Sequence, residues 1–365
     1  MKVLVKKVFR PFLQHRLADG LALAGGIAYL AVALFLAHMR YPNLDEGSYL
    51  FKGYSFAVGT YEPFQAYGFW INKMPLSFLI WGWVQDLFGA GLRVGRYFAV
   101  LLGSLTVLGV WIAARRMANG WLAALAVWVL ALNPSWTVLY SVAASQVLTI
   151  FMLTWMLVLV LGEKRPGWQI GLAAVLAGLM LLTRENMAFA LPLLLLYVFW
   201  EHGWKKGLLA LGLMSVVVVV GHAAYWPEIM GLWANWVPFP IPAFLYSPVG
   251  PSLPAAVETA ETVSEAAPAV VATSAPLVTR LHSLSVSLRI YFIPLVGGLI
   301  GLLFWPKRDA WRSRSHLRAA VFLAAVFFTL ALAHAWASLI KDYCIYCYSS
   351  YLAFFATAGL LFVAV

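Results

Sequence analysis

The chain has 365 residues and a formal net charge of +11; 63% of its residues are hydrophobic, 15% aromatic and 11% charged, and its mean hydropathy is +0.85. That composition excludes a water-soluble globular domain and specifies a polytopic membrane protein. Lys and Arg are scattered between apolar runs rather than gathered on one soluble face, so the charge reads as membrane topology, with no nucleic-acid partner expected.

The opening stretch MKVLVKKVFRPFLQHRLADG is basic and leads into a long apolar run without a small-residue cleavage site, the pattern of an uncleaved first span. Crossing the hydrocarbon core takes about 20 apolar residues. Runs of this kind cover residues 17–37, 95–114, 119–134, 147–161, 168–183, 187–201, 207–226, 286–304, 318–338 and 348–365. They predict an all-α chain of about ten transmembrane helices. If these spans alternate, Lys2, Lys6, Lys7, Arg10 and Arg16 fall on one side, the cytoplasmic one. Arg115, Arg116, Lys164, Arg165, Lys205, Lys206, Lys307, Arg308, Arg312, Arg314 and Arg318 join them there.

Residues 75–88, PLSFLIWGWVQDLF, are apolar too, but as a helix they reach only about 21 Å. Counting them as a span would move every later basic group outside. They are expected in the outer interface as an amphipathic helix, with Pro75 in its first turn and Trp81 and Trp83 as anchors. Residues 38–93 then form one extracytoplasmic loop holding Asp45, Glu46, Lys52, Glu62, Lys73 and Arg93. Further outer segments are SWTVLYSVAASQ at 135–146, the turn LLTRENM around Arg184, and residues 227–285. Within the last, SPVGPSLPAAVETAETVSEAAPAVVATSAP lacks aromatics and reads as a mobile loop. Cys344 and Cys347 stand near the outer end of a span, where a disulfide survives; buried, unpaired thiols on adjacent helical turns are the plainer alternative. A single C-x-x-C is a weak metal pattern.

The stretch LDEGSYLFKGYSFAVGTYEPFQAYGFWINKMPLSFLIWGWVQDLFGAGLRVGRYFAVLLG resembles the first outer loop and next span of a known family. These are the GT-C glycosyltransferases related to protein O-mannosyltransferases and lipid A aminoarabinose transferases. The family's Asp-Glu pair, Gly-x-Tyr, Lys before Pro-Leu, Phe-Gly and span-opening Arg are matched by Asp45 and Glu46, Gly59 and Tyr61, Lys73 with Pro75 and Leu76, Phe88 and Gly89, and Arg96. GLAAVLAGLMLLTRENMAFALPLLLLY is similar to the family's helix hairpin carrying Leu-Thr-Lys, with Arg184 in place of the Lys. Gln146 stands where relatives commonly place an acid, and Asn72 where the aminoarabinose transferases have a metal-holding Glu. The resemblance therefore supplies no certain cofactor and leaves a divalent metal open.

What the resemblance implies is a plasma-membrane enzyme that moves a sugar from a polyprenyl-phosphate donor to an acceptor glycan, lipid or protein on the extracytoplasmic face. Inverting transfer needs a base within about 3 Å of the acceptor proton. Asp45 takes that role, with Glu46 orienting sugar or acceptor, or the two exchanged. The leaving phosphate calls for preorganised cations, for which Lys73 and Arg184 are the candidates, with Arg96 behind them.

Each residue has a plainer alternative. Asn43 followed by Glu46 fits a capping box, which would make the acids a helix start. Lys73 and Arg96 suit snorkelling at span ends, and Glu185 could neutralise Arg184. His222 and His282 read as structural, and Tyr49, Tyr54 and Trp70 suit a membrane interface as well as a sugar. Two other functions compete. A lipid-linked-sugar flippase would place its charges at mid-membrane in two repeated halves. A non-catalytic polyprenyl-phosphate-binding subunit would keep Lys73 without needing Asp45.

Overall fold

A computed structural model describes residues 2–64, 73–233, 276–289, 292–340 and 353–365. Among these residues the chain is helical and has no strand, the all-α architecture expected. The helices are α1 (Lys2–Met39), α2 (Leu44–Ala57), α3 (Leu76–Phe88), α4 (Leu92–Met117), α5 (Gly120–Leu132), α6 (Pro134–Leu139), α7 (Ser145–Val160) and α8 (Gly167–Thr183). A 3-10 turn (Glu185–Phe189) leads to α9 (Ala190–His202), α10 (Trp204–Ala224), α11 (Met230–Trp233), α12 (Leu277–Leu288), α13 (Phe292–Leu303), α14 (Arg314–Ile340) and α15 (Ala356–Ala364).

Among the described residues, four stretches are long and apolar enough to cross a membrane: Arg16–Met39, Leu92–Met117, Trp204–Ala224 and Arg314–Ala335. Leu76–Phe88, Gly120–Leu132, Ser145–Val160, Gly167–Thr183 and Phe292–Leu303 are shorter apolar helices. Local chemistry sets several boundaries. The Asn119 side chain accepts the Trp121 and Leu122 amides, both at 3.0 Å, and starts α5. Pro134 ends it, because the residue before a proline is pushed out of helical conformation; Asn133 then caps α6. The expected span 286–304 contains the same residue type. Its described residues form α12 up to Leu288 and α13 from Phe292, with Pro294 in the first turn of α13, where its missing N–H costs no helical hydrogen bond.

Of residues 75–88, Leu76–Phe88 form α3, whose stripe Phe78, Trp81, Gly82 and Gln85, spaced i, i+3, i+4, i+7, is buried against the protein. Trp81 is completely buried, edge-on to Phe98 of α4 at 5.6 Å between centroids, so it is a core residue and not an interface anchor; Trp83 remains half exposed. α2 and α3 pack as a hairpin that only glycines permit. A Cβ on Gly82 would run into the Gly53 carbonyl, and one on Gly53 would sit 2.9 Å from the Gly82 nitrogen. Gln85 locks the hairpin, donating to the carbonyls of Leu50 (2.8 Å) and Trp81 (3.2 Å) and accepting the Gly91 N–H (3.2 Å).

The bundle has two chemically distinct ends. At one, Arg115 pairs with Asp19 at 2.9 Å, Arg116 donates to the Val158 carbonyl at 2.7 Å, Lys206 donates to the Arg165 carbonyl, and Arg318 pairs with Glu201 at 3.2 Å. These contacts tie α1 to the end of α4, the end of α4 to the end of α7, the approach to α8 to the start of α10, and the end of α9 to the start of α14. The starts of α2, α4 and α7 and the end of α8 meet at the other end, which carries the candidate site. The predicted loop at 247–276, Cys344, Cys347, Trp70 and Asn72 lie outside the described residues, apart from Pro276 at the loop's edge.

Candidate active site

The Asn43 side chain accepts the Glu46 N–H at 2.7 Å and caps α2, which is half of a capping box. The other half is missing, because the Glu46 carboxylate turns inward. Arg96 grips it bidentately, Nε to Oε1 at 2.9 Å and Nη2 to Oε2 at 2.7 Å, and Oε1 also accepts the Ala143 N–H at 3.1 Å. Nη1 of Arg96 donates to the carbonyls of Ala37 (2.9 Å) and Arg40 (2.8 Å), closing the end of α1. Glu46 is 0% exposed and Arg96 2%. Such a pair holds only with this degree of hydrogen bonding, since two desolvated charges otherwise destabilise a core. Both Glu46 oxygens and the donors of Arg96 are thus engaged within the protein, Glu46 by Arg96 and Ala143, Arg96 by Glu46 and two carbonyls.

Successive helical residues point about 100° apart, so anchoring Glu46 inward turns Asp45 outward. Asp45 is exposed in the first turn of α2, where the helix dipole favours a carboxylate; among the described residues no hydrogen bond or ion pair engages its side chain.

One turn on, Tyr49 gathers the expected cations. It is buried, and its hydroxyl lies 2.8 Å from Ser145 Oγ. Lys73 Nζ donates to the Tyr49 hydroxyl at 3.0 Å and sits 4.8 Å from the ring centroid. Arg184, which closes α8, donates from Nη1 to Ser145 Oγ at 2.8 Å. Lys73 and Arg184, 111 positions apart in a chain of 365, are thus joined through two hydroxyls. Asp45 and Tyr49 share a helix face with about 5–6 Å between Cβ atoms.

Lys52, read in the sequence only as one of the charges of the outer loop, belongs to the same corner, and 45, 49 and 52 follow the i, i+4, i+7 spacing of one helix face. It is 5% exposed, with Nζ 5.9 Å from the Phe78 centroid, and Phe78 lies 5.4 Å from Tyr49. Burial first and the charge of Lys73 second pull its pKa from 10.5 down to about 8. The folded chain therefore releases this proton before the unfolded chain does. Between those two values the unfolded state binds more protons, and stability rises with pH. In thermal melts the gap between the native chain and Lys52→Met should shift towards the native chain across that window. A constant gap would contradict the assignment.

Two further features adjoin the cations. An apolar cavity of about 310 Å³ lies between α3, α8 and α10, walled by Pro75, Leu76, Leu182, Val217 and Gly221, within two positions of Lys73 on one side and of Arg184 on the other. The second is a buried polar pair: Asn186 Nδ2 donates to His334 Nε2 at 2.8 Å, and His334 Nδ1 donates to the Leu330 carbonyl at 2.7 Å. His334, the one strongly polar residue in LALAHAWA, was the available signal for it. His222 is structural as expected, its Nδ1 donating to Val218 and its Nε2 accepting from Trp233. Gln146 is buried beside Ser145, and among the described residues no three His, Cys, Asp or Glu side chains converge.

Residues 72–229, under half of the chain, match the family of dolichyl-phosphate-mannose-protein mannosyltransferases. No curated protein matches the chain in sequence. The fold is similar to that of ArnT from Cupriavidus metallidurans in the apo state, with a TM-score of 0.58 and 19% identity over 95% of this chain and 59% of that one. The same enzyme bound to undecaprenyl phosphate gives 0.54 and 18% identity over 94% of this chain and 59% of that one. The Archaeoglobus fulgidus oligosaccharyltransferase in the apo form gives 0.52 and 14% over 93% of this chain and 50% of that one. The chain thus spans about 59% of the length of the ArnT structures it matches. The resemblance to the GT-C glycosyltransferases read from the sequence is borne out, and with it a polytopic helical membrane fold.

Proposed function

We propose that this chain, a membrane protein of the GT-C fold related to the mannosyltransferase and ArnT families, transfers a sugar from a polyprenyl-phosphate donor to an acceptor hydroxyl. The observation that carries the reading is the chain Lys73–Tyr49–Ser145–Arg184, set one helical turn from an outward-turned Asp45. Asp45 takes the acceptor proton as the acceptor oxygen attacks the anomeric carbon. The bond from that carbon to the phosphate oxygen breaks, and Lys73 and Arg184 hold the phosphate that leaves. Residues 38–93 supply the acid and the first cation, and the apolar cavity beside α3 takes the start of the prenyl tail. A polyprenyl-phosphate donor is supported by the undecaprenyl phosphate bound to ArnT. Gathering of basic groups at the opposite end of the bundle favours an extracytoplasmic site in the plasma membrane. The acceptor is a glycan, lipid or protein, and residues 1–365 act as one domain. Against a flippase stands the site's position at one end of the bundle rather than at mid-membrane.

Donor binding tests the cation assignment directly. Titrating purified protein in lipid with polyprenyl phosphate, Lys73→Ala and Arg184→Ala should each weaken binding about tenfold, the equivalent of one charge-assisted hydrogen bond. Unchanged affinity in both variants would remove the phosphate from this corner.

A further inference from the structure

His334 stands in α14, 16 residues after Arg318; helical rise converts that to about 24 Å, which carries it from the basic end of the bundle to the end of the candidate site. It lies one position before the end of the stretch Arg314–Ala335 and is 5% exposed. A strongly polar ring there is unfavourable unless its nitrogens are engaged, and in a membrane span such a residue is a functional candidate by default. Both nitrogens are engaged. The Leu330 carbonyl can only accept, so Nδ1 carries the proton and donates to it at 2.7 Å; Nε2 then accepts from Asn186 Nδ2 at 2.8 Å. The ring packs against the completely buried Phe355, 6.0 Å between centroids.

Asn186 belongs to the turn that carries Arg184. Arg184 leaves α8 in extended backbone, φ −153° and ψ 121°, its N–H donating to the Met180 carbonyl at 3.0 Å and its carbonyl accepting the Met187 N–H at 3.1 Å. Helix α8 therefore fixes one side of Arg184, and the 3-10 turn fixes the other. What fixes the turn to the rest of the bundle is the Asn186 side chain. It is 6% exposed, and among the described residues its one hydrogen bond runs to His334, 148 positions away.

We propose that Asn186 and His334 are positioning residues for the donor phosphate, tethering the turn to α14 so that Arg184 Nη1 is held at Ser145 Oγ. The inference rests on the reading of Lys73 and Arg184 as phosphate ligands. Neither Asn186 nor His334 touches the phosphate; both act through Arg184. A guanidinium held in place beforehand loses less backbone and rotamer freedom when the phosphate arrives, so the tether strengthens donor binding. Because the whole effect passes through Arg184, it is bounded by the loss of about tenfold expected of Arg184→Ala, and it disappears once Arg184 is gone.

The test is a double-mutant cycle on the full chain in lipid, read by titration with polyprenyl phosphate and by thermal unfolding of the same preparations. His334→Leu should weaken binding about three- to tenfold. His334→Gln, whose side-chain oxygen can accept where Nε2 does, should bind as the native chain does. Added to Arg184→Ala, His334→Leu should cost no further affinity while lowering the melting temperature as much as it does alone. Asn186→Ala should reproduce these losses from the side of the turn, and it carries the cycle if His334→Leu does not fold. A loss from His334→Leu that is equal with and without Arg184 marks a packing residue and overturns the proposal, as does a His334→Gln chain as weak as His334→Leu. Native affinity in both His334→Leu and Asn186→Ala, with Arg184→Ala weakened, removes the tether and leaves the phosphate reading standing. Native affinity in Arg184→Ala removes the phosphate reading and the tether with it.

Discussion

Glu46→Ala should destabilise the protein by about 3–5 kcal/mol, the range measured when one partner of a buried ion pair is removed. The Arg96 guanidinium would remain 2% exposed with only two carbonyls to bind, and the Ala143 N–H would lose its acceptor. Four elements meet at that carboxylate, namely the end of α1, the starts of α2 and α4, and the turn before α7, so the loss spreads across the whole end of the bundle. Against a typical stability of about 5–15 kcal/mol, most of the folded protein is at risk. Removing both charges, as in Glu46→Ala with Arg96→Met, should be milder than the sum of the single changes, because no lone charge stays buried. Thermal unfolding in detergent reads this directly. A Glu46→Ala chain that melts with the native protein would contradict the structural role.

Asp45→Asn is expected to do the opposite, leaving folding intact and lowering transfer by about 10²- to 10⁴-fold, the contribution of a positioned general base. Its side chain is exposed and holds no partner among the described residues, so an amide of the same shape disturbs nothing nearby. The proposal thus gives the neighbouring carboxylates separate roles, Glu46 in the scaffold and Asp45 at the acceptor. The difference follows from the angle between consecutive helical residues.

That separation marks where the sequence stopped being legible. The all-helical membrane class followed from composition, and the Asp-Glu pair, Lys73 and Arg184 followed from motif order. Which acid faces inward did not, because it depends on Arg96, 50 positions away and hidden among ordinary span-opening residues. The bridge from Lys73 to Arg184 was invisible for the same reason. Tyr49 and Ser145 are common residues, and only packing of α2 against the start of α7 brings them within 2.8 Å. Trp81 misled because an amphipathic helix has one apolar stripe whether lipid or protein covers it. The Gly53–Gly82 contact decides the matter by letting α2 and α3 approach closely enough to bury that stripe.

The most direct test of the central claim is single-turnover transfer by purified protein in lipid, with a panel of polyprenyl-phosphate sugars and with donor binding measured on the same preparations. The native chain should form product from at least one donor, while Asp45→Asn binds that donor equally and forms none above about one-hundredth of the native rate. Transfer that persists undiminished in Asp45→Asn would contradict Asp45 as the base, and donor binding without transfer by the native chain would replace the enzyme with a polyprenyl-phosphate-binding subunit.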